Sequence, residues 1–213
     1  KLLGGWFLNE LAKIAKTIVT NGNHDGNPNN KEQINSLSTV IELINNPNIC
    51  YYNKTGRYED ENVYWYVWDY FDGKNPNDSE FAIQSMPHDH SPETVIDLYH
   101  NPVNGARLFN SGILKHNVSI DDFQGKLFLL GDIHLRQQFH NTKGALGAYP
   151  GSLIQQDFGE SIDDHGFLFW AIEPRVAQPI NITNDYLYYN LVLDGSKTPI
   201  NYESIVNENM SIF

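Results

Sequence analysis

The alternation of hydrophobic and polar positions predicts two helices and a series of short strands. Residues 6–16 and 31–44 place apolar side chains three and four positions apart, which is the spacing of an amphipathic helix. Short apolar runs bounded by turn residues predict strands at residues 17–20, 49–52, 63–68, 81–85, 95–99, 127–130, 166–172 and 186–193. Helices that alternate with buried strands predict an α/β fold.

Polar side chains that can bind metal follow three of these strands at the point where each strand ends. The first strand is followed by Asn23 and His24, and two later strands are followed by His100 and by Asp132 and His134. In an open α/β sheet such side chains converge on one crevice at the carboxyl ends of the strands. Oxygen and imidazole ligands without thiolate favour Mn²⁺, Fe²⁺ or Zn²⁺. The spacing of Asp132 and His134 suits two neighbouring ions.

Each of these residues also has a structural explanation. Asn23 and His24 stand in a stretch rich in glycine and asparagine that could be an ordinary turn. His100 could be a solvated histidine at a strand end, and Asp132 could cap a turn. The occurrence of all of them in order, each after a strand, favours a metal site over coincidence. In such a site the imidazole of His24 can donate a proton to a phosphoryl oxygen.

The charge of the chain limits its partners. The 213 residues have a formal net charge of −12, which opposes nucleic-acid binding unless metal ions or a partner supply positive charge. Arg136 and Lys143 are among the few cations near the loop of His134, and they are candidate contacts for a DNA phosphate. Cys50 is the only cysteine, so an internal disulfide is excluded and a reducing compartment is permitted. The sequence predicts neither a membrane span nor a signal peptide.

Two other stretches have competing interpretations. The aromatic residues between positions 64 and 71 could stack on nucleic-acid bases, but their alternation along a strand favours packing in a core. His88, Asp89 and His90 could bind a metal. They lie between two prolines in a polar stretch, however, which favours an exposed loop.

The motifs at the strand ends resemble those of the SbcD-type, or meiotic-recombination-eleven-like, nuclease subunits of the double-strand-break repair complex, including phage and viral relatives. The resemblance rests on Gly22-Asn23-His24-Asp25, on residues 98–106 (LYHNPVNGA) and on Gly131-Asp132-Ile133-His134. Its most specific part is the stretch YPGSLIQQDFGE at residues 149–160, followed by His165-Gly166-Phe167. General phosphatases of the calcineurin-like metallophosphoesterase superfamily lack that stretch.

The resemblance implies a fold and a set of residue roles. The fold is a four-layer α-β-β-α metallophosphoesterase sandwich, missing its first strands in this chain. A nuclease domain would occupy residues 1–176. Residues 177–213 would form the beginning of a capping region that recognises DNA. Asn23 and His100 would bind the second metal and His134 the first, while His24 would be a non-ligand that assists the leaving oxygen. Asp132 stands where many family members carry His, and a carboxylate there makes the site more anionic.

The implied activity is that of a DNA exonuclease and endonuclease. It would hydrolyse phosphodiesters at DNA ends or hairpins with two Mn²⁺ ions, for which Mg²⁺, Fe²⁺ or Zn²⁺ could substitute. The implied partners are an SMC-like ATPase of the SbcC type and a second copy of the chain in a homodimer. The implied location is intracellular, in the cytoplasm, nucleoid or nucleus. Two alternatives remain, a metallophosphoesterase acting on nucleotides or phosphoproteins and a catalytically inactive scaffold of the same fold.

Two motifs of the family do not occur at the start of this chain. Residues 1–22 contain neither the Asp-x-His motif of the first strand nor the Gly-Asp motif that provides a bridging carboxylate. Since the first residue is also not Met, we expect the intact protein to have a preceding segment that carries both motifs. The chain by itself would then hold a partial metal centre.

Overall fold

The computed structural model describes residues 2–27, 29–30, 35–60, 62–78, 95–184 and 186–188, and in this part of the chain the fold is mixed α/β. The helices are α1 (Leu2–Ile14) and α2 (Ser36–Ile44), with a short 3-10 helix at Ile120–Asp122. The strands are β1 (Thr17–Thr20), β2 (Ile49–Tyr52), β3 (Gly56–Asp60), β4 (Val63–Trp68), β5 (Val95–His100), β6 (Leu127–Gly131), β7 (Gln137–His140), β8 (Leu146–Tyr149), β9 (Gly166–Ala171) and β10 (Val176–Asn181). The predicted α/β class is confirmed.

Six of the strands form one mixed sheet in the order β3-β4-β5-β6-β8-β7. The inner strands β4, β5, β6 and β8 run parallel, and β3 and β7 pair antiparallel at the two edges. The register places His100 at the end of β5 opposite Gly131 at the end of β6. The loops that follow these two strands therefore begin side by side at one end of the sheet.

Apolar side chains cover both faces of this sheet. One face packs against the segment between β5 and β6 through a cluster that includes Trp68, Tyr99, Val103, Phe123, Phe128 and Tyr149. The other face packs against the antiparallel hairpin of β9 and β10 through Ile96, Leu127, Leu146, Leu168, Trp170 and Ala177. Burial on both sides explains why the inner strands have nearly continuous apolar sequences.

The strands β1 and β2 form a separate parallel sheet, in which Thr17 lies opposite Ile49. Helix α1 contacts both strands, and α2 contacts β2. Asn35 caps the start of α2, because its side-chain oxygen accepts a hydrogen bond from the backbone N of Ser38 at 2.7 Å. The four residues of β1 are only partly buried, although the sequence predicts a fully buried strand.

Most predicted elements agree with the structure. The strands at residues 17–20, 49–52 and 63–68 have the predicted bounds, and those at 95–99 and 127–130 are each one residue longer. The predicted helix at residues 6–16 begins and ends earlier in the chain. Tyr64, Tyr66 and Trp68 are buried, which confirms the prediction that the aromatic stretch packs in the core.

Several predictions fall wholly or partly outside the described residues. These are the strand at residues 81–85, the residues His88, Asp89 and His90, and most of the strand at 186–193, of which residues 186–188 are described and are not in a strand. The predicted domain boundary at residue 177 falls inside β10. None of the helices in the described ranges is long and apolar enough to cross a membrane.

A buried carboxyl group in β5 predicts a dependence of stability on pH. Asp97 accepts hydrogen bonds from Trp68 Nε1 at 3.0 Å and from the backbone N of Gly125 at 2.7 Å, and burial raises its pKa to about 6. Because the folded-state pKa lies above that of the unfolded chain, the stability due to this group is present at low pH and is lost as the pH rises through about 6. The loss amounts to about 3 kcal/mol between about pH 4 and about pH 7.

The variant Asp97→Asn cannot ionise at this position. We therefore expect the free energy of unfolding of the wild type, relative to Asp97→Asn, to fall as the pH rises across this interval. Urea denaturation at several pH values measures this difference. A difference that is constant with pH would show that Asp97 does not titrate in this interval.

Candidate functional site

A tight turn directly after β1 places the first candidate residues. The backbone N of Asp25 donates to the carbonyl oxygen of Gly22 at 3.1 Å, and the Asp25 carboxylate accepts a hydrogen bond from the backbone N of Gly22 at 2.7 Å. These two bonds close the turn around Asn23 and His24. Asp25 therefore has a structural role, and it fixes the direction in which its two neighbours project.

A buried hydrogen-bond network beside this turn joins the two sheets. The side-chain amide of Asn21 donates to the carboxylate of Asp69, which follows β4, at 2.6 Å. The amide oxygen of Asn21 accepts a hydrogen bond from the hydroxyl of Tyr51 in β2. Burial raises the pKa of Asp69, and the hydrogen bond from Asn21 opposes that rise. The network holds the end of β1 against the end of β4.

Side chains from three strand ends meet next to this network. The Nδ2 atom of Asn23 donates to Oδ1 of Asp132 at 2.8 Å, and Oδ1 of Asn23 lies 3.3 Å from Nε2 of His100. The same Nε2 atom lies 4.0 Å from the Asp132 carboxylate. The structure therefore brings together three of the four predicted metal ligands, which are separated by up to 109 positions in the sequence.

The imidazole of His100 is held in a form and a position suited to metal binding. Burial lowers the pKa of His100, and the nearby carboxylates of Asp132 and Asp25 only partly oppose this effect. The neutral ring, which is the form that binds metal, is therefore favoured. A Cβ atom at Gly22 would lie 3.0 Å from Nε2, and one at Gly131 would lie 2.5 Å from Nδ1. Glycine at both positions lets the ring enter the space between the two sheets.

This packing predicts that Gly131→Ala displaces His100. A Cβ at 2.5 Å from the ring nitrogen forces the ring to move. We expect a loss of about 1–3 kcal/mol in the free energy of unfolding, together with weaker Mn²⁺ binding. The matched control is Gly56→Ala in β3, where a Cβ meets no atom within 4 Å. Calorimetry of unfolding and of Mn²⁺ binding measures both effects, and equal behaviour of the two variants would contradict the packing described for His100.

The backbone of Asp132 adopts an unusual conformation. Its φ angle is 90°, a value that residues with a side chain rarely adopt. Such strain costs about 1–3 kcal/mol and persists where the surrounding structure holds it in place, often at functional sites. At Asp132 the preceding residue, Gly131, is fixed by its pairing with β5, and the carboxylate is fixed by the hydrogen bond from Asn23.

The fourth predicted ligand, His134, has a carboxylate partner of its own. Its Nδ1 atom lies 2.6 Å from Oε1 of Glu160, and its side chain is 53% exposed. Both residues and Asp132 line a cavity of about 380 Å³. The sequence placed Glu160 in the stretch that carries the resemblance but gave it no role.

His24 follows Asn23 in the turn after β1. It is exposed and lines a cavity of about 950 Å³ between the turn and the helices α1 and α2. Trp6, Val40 and Leu43 form part of the opposite wall.

The two predicted DNA contacts have other partners. Arg136 donates from Nε to the carbonyl oxygen of Pro150 at 3.1 Å and from a terminal nitrogen to Asn181 at 2.6 Å. Lys143 donates to two backbone carbonyl oxygens of residues 121 and 123. The prediction that Lys143 lies next to the loop of His134 was wrong, because β7 and β8 carry it to the opposite end of the sheet.

The donor atoms of the cluster fit part of a divalent metal site. Ligands about 2.1 Å from an ion lie about 3 Å apart when they stand at right angles. The distance of 3.3 Å between Asn23 Oδ1 and His100 Nε2 is close to that value. The Asp132 carboxylate lies 4.0 Å from His100 Nε2 and would have to move closer to bind the same ion. Across the described residues, no group of three or more His, Cys, Asp or Glu side chains is arranged to hold a metal.

Comparison with known proteins finds a stretch of similar sequence in a viral protein. No family model matches the chain. The chain is 34% identical over 195 residues to a protein described as "Uncharacterized protein R555" from Acanthamoeba polyphaga mimivirus. The match covers 89% of this chain but only 14% of that relative, so the chain spans about one-seventh of its length.

Proposed function

We propose that the intact protein is a Mn²⁺-dependent DNA exonuclease and endonuclease of the SbcD type, acting in a double-strand-break repair or recombination complex. The observation that carries the proposal is the meeting of Asn23, His100 and Asp132, which come from three strand ends in two sheets. Oxygen and imidazole donors in this arrangement suit Mn²⁺, with Mg²⁺, Fe²⁺ or Zn²⁺ as alternatives. The histidines at positions 24 and 134 flank the cluster.

The residues divide into ligands and a proton donor. Bound ions would neutralise charge on the scissile phosphate and activate the attacking water. Asn23 and His100 would hold the second ion, His134 the first, and Asp132 lies where it can serve either. His24, which stands outside the ligand cluster, would give a proton to the sugar oxygen that leaves.

The arrangement of layers supports a four-layer α-β-β-α sandwich that is missing its first strands. The helices α1 and α2 contact the sheet of β1 and β2, and that sheet meets the six-stranded sheet at the cluster. The residues of β1 are only partly buried, and among the described strands β1 pairs with β2 alone. In the proposed intact protein, further strands beside β1 carry the Asp-x-His and Gly-Asp motifs and complete the ligand set.

Apolar side chains on the two helices support the proposed homodimer. Leu3, Trp6 and Leu43 are 75%, 59% and 81% exposed, and Phe7 is exposed beside them. Large apolar residues clustered on a surface often mark an interface. In our proposal, α1 and α2 contact the same helices of a second copy. The SbcC-type ATPase and the capping region that starts at residue 177 belong to the same proposal and rest on the family resemblance.

The acidic chain needs positive charge from other sources to hold DNA. The net charge is −12, and within the described residues Arg136 and Lys143 already donate hydrogen bonds to protein oxygens. In the proposed complex, the metal ions and the ATPase partner supply most of the charge that faces the phosphates. Arg136, which lies at the same end of the sheet as His134, supplies a smaller part of this positive charge.

A substrate panel tests the proposed function. We expect the intact protein with Mn²⁺ to degrade linear duplex DNA and to open DNA hairpins, and to lose both activities when the metal is chelated. Mononucleotides and phosphopeptides are the comparison substrates. Cleavage of only these small substrates would support the alternative phosphoesterase. Failure to cleave any substrate while Mn²⁺ is bound would support an inactive scaffold.

A further inference from the structure

We propose that Glu160 is a positioning residue that fixes the tautomer and the orientation of His134. The inference rests on the proposed function, since it assigns His134 the role of presenting Nε2 to an ion or a phosphate. It concerns a residue that the sequence motifs left without a role. The evidence for it is the hydrogen-bond pattern around the Glu160 carboxylate.

Glu160 is a buried carboxylate in contact with an exposed imidazole. Its side chain is 3% exposed, whereas that of His134 is 53% exposed. The distance of 2.6 Å between Glu160 Oε1 and His134 Nδ1 is at the short end of hydrogen bonds that involve a charged group. The contact therefore holds one edge of an otherwise exposed ring against a buried group.

The other carboxylate oxygen is occupied by two donors that belong to the protein frame. Oε2 of Glu160 accepts hydrogen bonds from the hydroxyl of Ser152 at 2.9 Å and from the backbone N of Gln156 at 2.9 Å. The backbone of Glu160 is held as well, because its carbonyl oxygen accepts from the side chain of Gln155 at 3.1 Å. The carboxylate cannot rotate without breaking these bonds, so its direction toward His134 is set before any ligand arrives.

The pattern determines which nitrogen of His134 carries the proton. A carboxylate oxygen facing Nδ1 requires a donor, so the neutral ring is protonated at Nδ1 and has its lone pair at Nε2. Nε2 lies on the opposite side of the ring from Nδ1, and His134 lines a cavity together with Asp132. Carboxylates that orient metal-binding histidines in this way raise metal affinity, and their loss typically costs about 10–100-fold.

Glu160→Gln provides a sharp test because the backbone N of Gln156 can only donate. The amide oxygen of the new side chain must stay on Gln156 and Ser152, which turns its NH₂ group toward His134 Nδ1. We expect the neutral ring of His134 to change from the Nδ1–H to the Nε2–H tautomer. Long-range ¹H–¹⁵N spectra of the metal-free protein show the tautomer directly, and a His134→Gln variant assigns the signals.

Two control variants separate positioning from general structural damage. Ser152→Ala disturbs the same buried network but leaves the Glu160–His134 contact, so it should keep the Nδ1–H tautomer. Glu42→Gln removes an exposed carboxylate of α2 and should change nothing. In the intact protein, we expect Glu160→Gln to weaken Mn²⁺ binding by about 10–100-fold and Glu42→Gln to leave it unchanged.

The tautomer experiment is independent of nuclease activity. An Nε2–H tautomer in the wild type, or no change of tautomer in a folded Glu160→Gln variant, overturns the proposal. The wild-type spectrum alone decides the matter if Glu160→Gln does not fold. If the tautomer changes as expected but the intact protein cleaves no DNA, Glu160 still positions His134 and the proposed function fails separately.

Discussion

His24→Ala in the intact protein is expected to reduce Mn²⁺-dependent DNA cleavage by about 10²–10⁴-fold while leaving the bound metal nearly unchanged. The reason is the position of His24, which is exposed at the rim of the 950 Å³ cavity and outside the cluster of Asn23, His100 and Asp132. Removal of a proton donor slows the departure of the sugar oxygen but takes no ligand from an ion. Turnover assays with metal analysis of the same samples measure both quantities.

His140→Ala is the matched control for this variant. His140 is also exposed, but it lies in β7 at the opposite end of the sheet from the cluster. It should keep full activity and full metal content. A His24→Ala protein that lost its metal would show that His24 is a ligand, and one that kept full activity would remove it from the mechanism.

His100→Ala is expected to have the opposite signature, with loss of Mn²⁺ as the primary effect. Neutral His100 contributes its Nε2 atom between Asn23 and Asp132, and alanine offers no donor to replace it. We expect the affinity for the second ion to fall by at least about 100-fold, since even the loss of a residue that only supports a ligand costs about 10–100-fold. Cleavage should fall in parallel and recover in part at high Mn²⁺.

Titration calorimetry with Mn²⁺ separates this effect from that of His24→Ala. The control is again His140→Ala, which should bind both ions normally. An unchanged Mn²⁺ affinity in a folded His100→Ala protein would contradict the assignment of His100 as a ligand. Partial rescue of cleavage by excess Mn²⁺ in His100→Ala, but not in His24→Ala, would distinguish a ligand from a proton donor in one experiment.

The sequence patterns did not predict strands β3 and β8, and each omission has an identifiable reason. The edge strand β3, with the sequence GRYED, carries the charged side chains that edges require, and this hides its pattern. In β8 the apolar run is short and contains Gly147, where a Cβ would lie 1.7 Å from the ring of Phe128. Because β8 packs so closely against Phe128, position 147 requires glycine. Glycine is uncommon in strands and therefore weakens the sequence pattern that predicts one.

The candidate site was predictable where it depends on the ends of parallel strands. His100 is the last residue of β5, and Asp132 directly follows β6. Because His100 pairs with Gly131 across these neighbouring strands, the proximity of His100 and Asp132 follows from the sheet. The contact between His134 and Glu160 joins residues 26 positions apart, and Glu160 lies in an irregular loop. No periodic pattern in the sequence predicts such a contact. Lys143 is near His134 in the sequence but not in space, because it lies in the turn between β7 and β8 at the opposite end of the sheet.

The most direct test of the central claim is the location of Mn²⁺ in crystals of the intact protein, determined by anomalous scattering at the manganese absorption edge. The account predicts an anomalous peak about 2.2 Å from His100 Nε2, Asn23 Oδ1 and the Asp132 carboxylate, and a second peak near His134 Nε2. His24 should be bonded to neither ion. Mn²⁺ bound only elsewhere, or no peak beside His100 in a protein that cleaves DNA, would contradict the account.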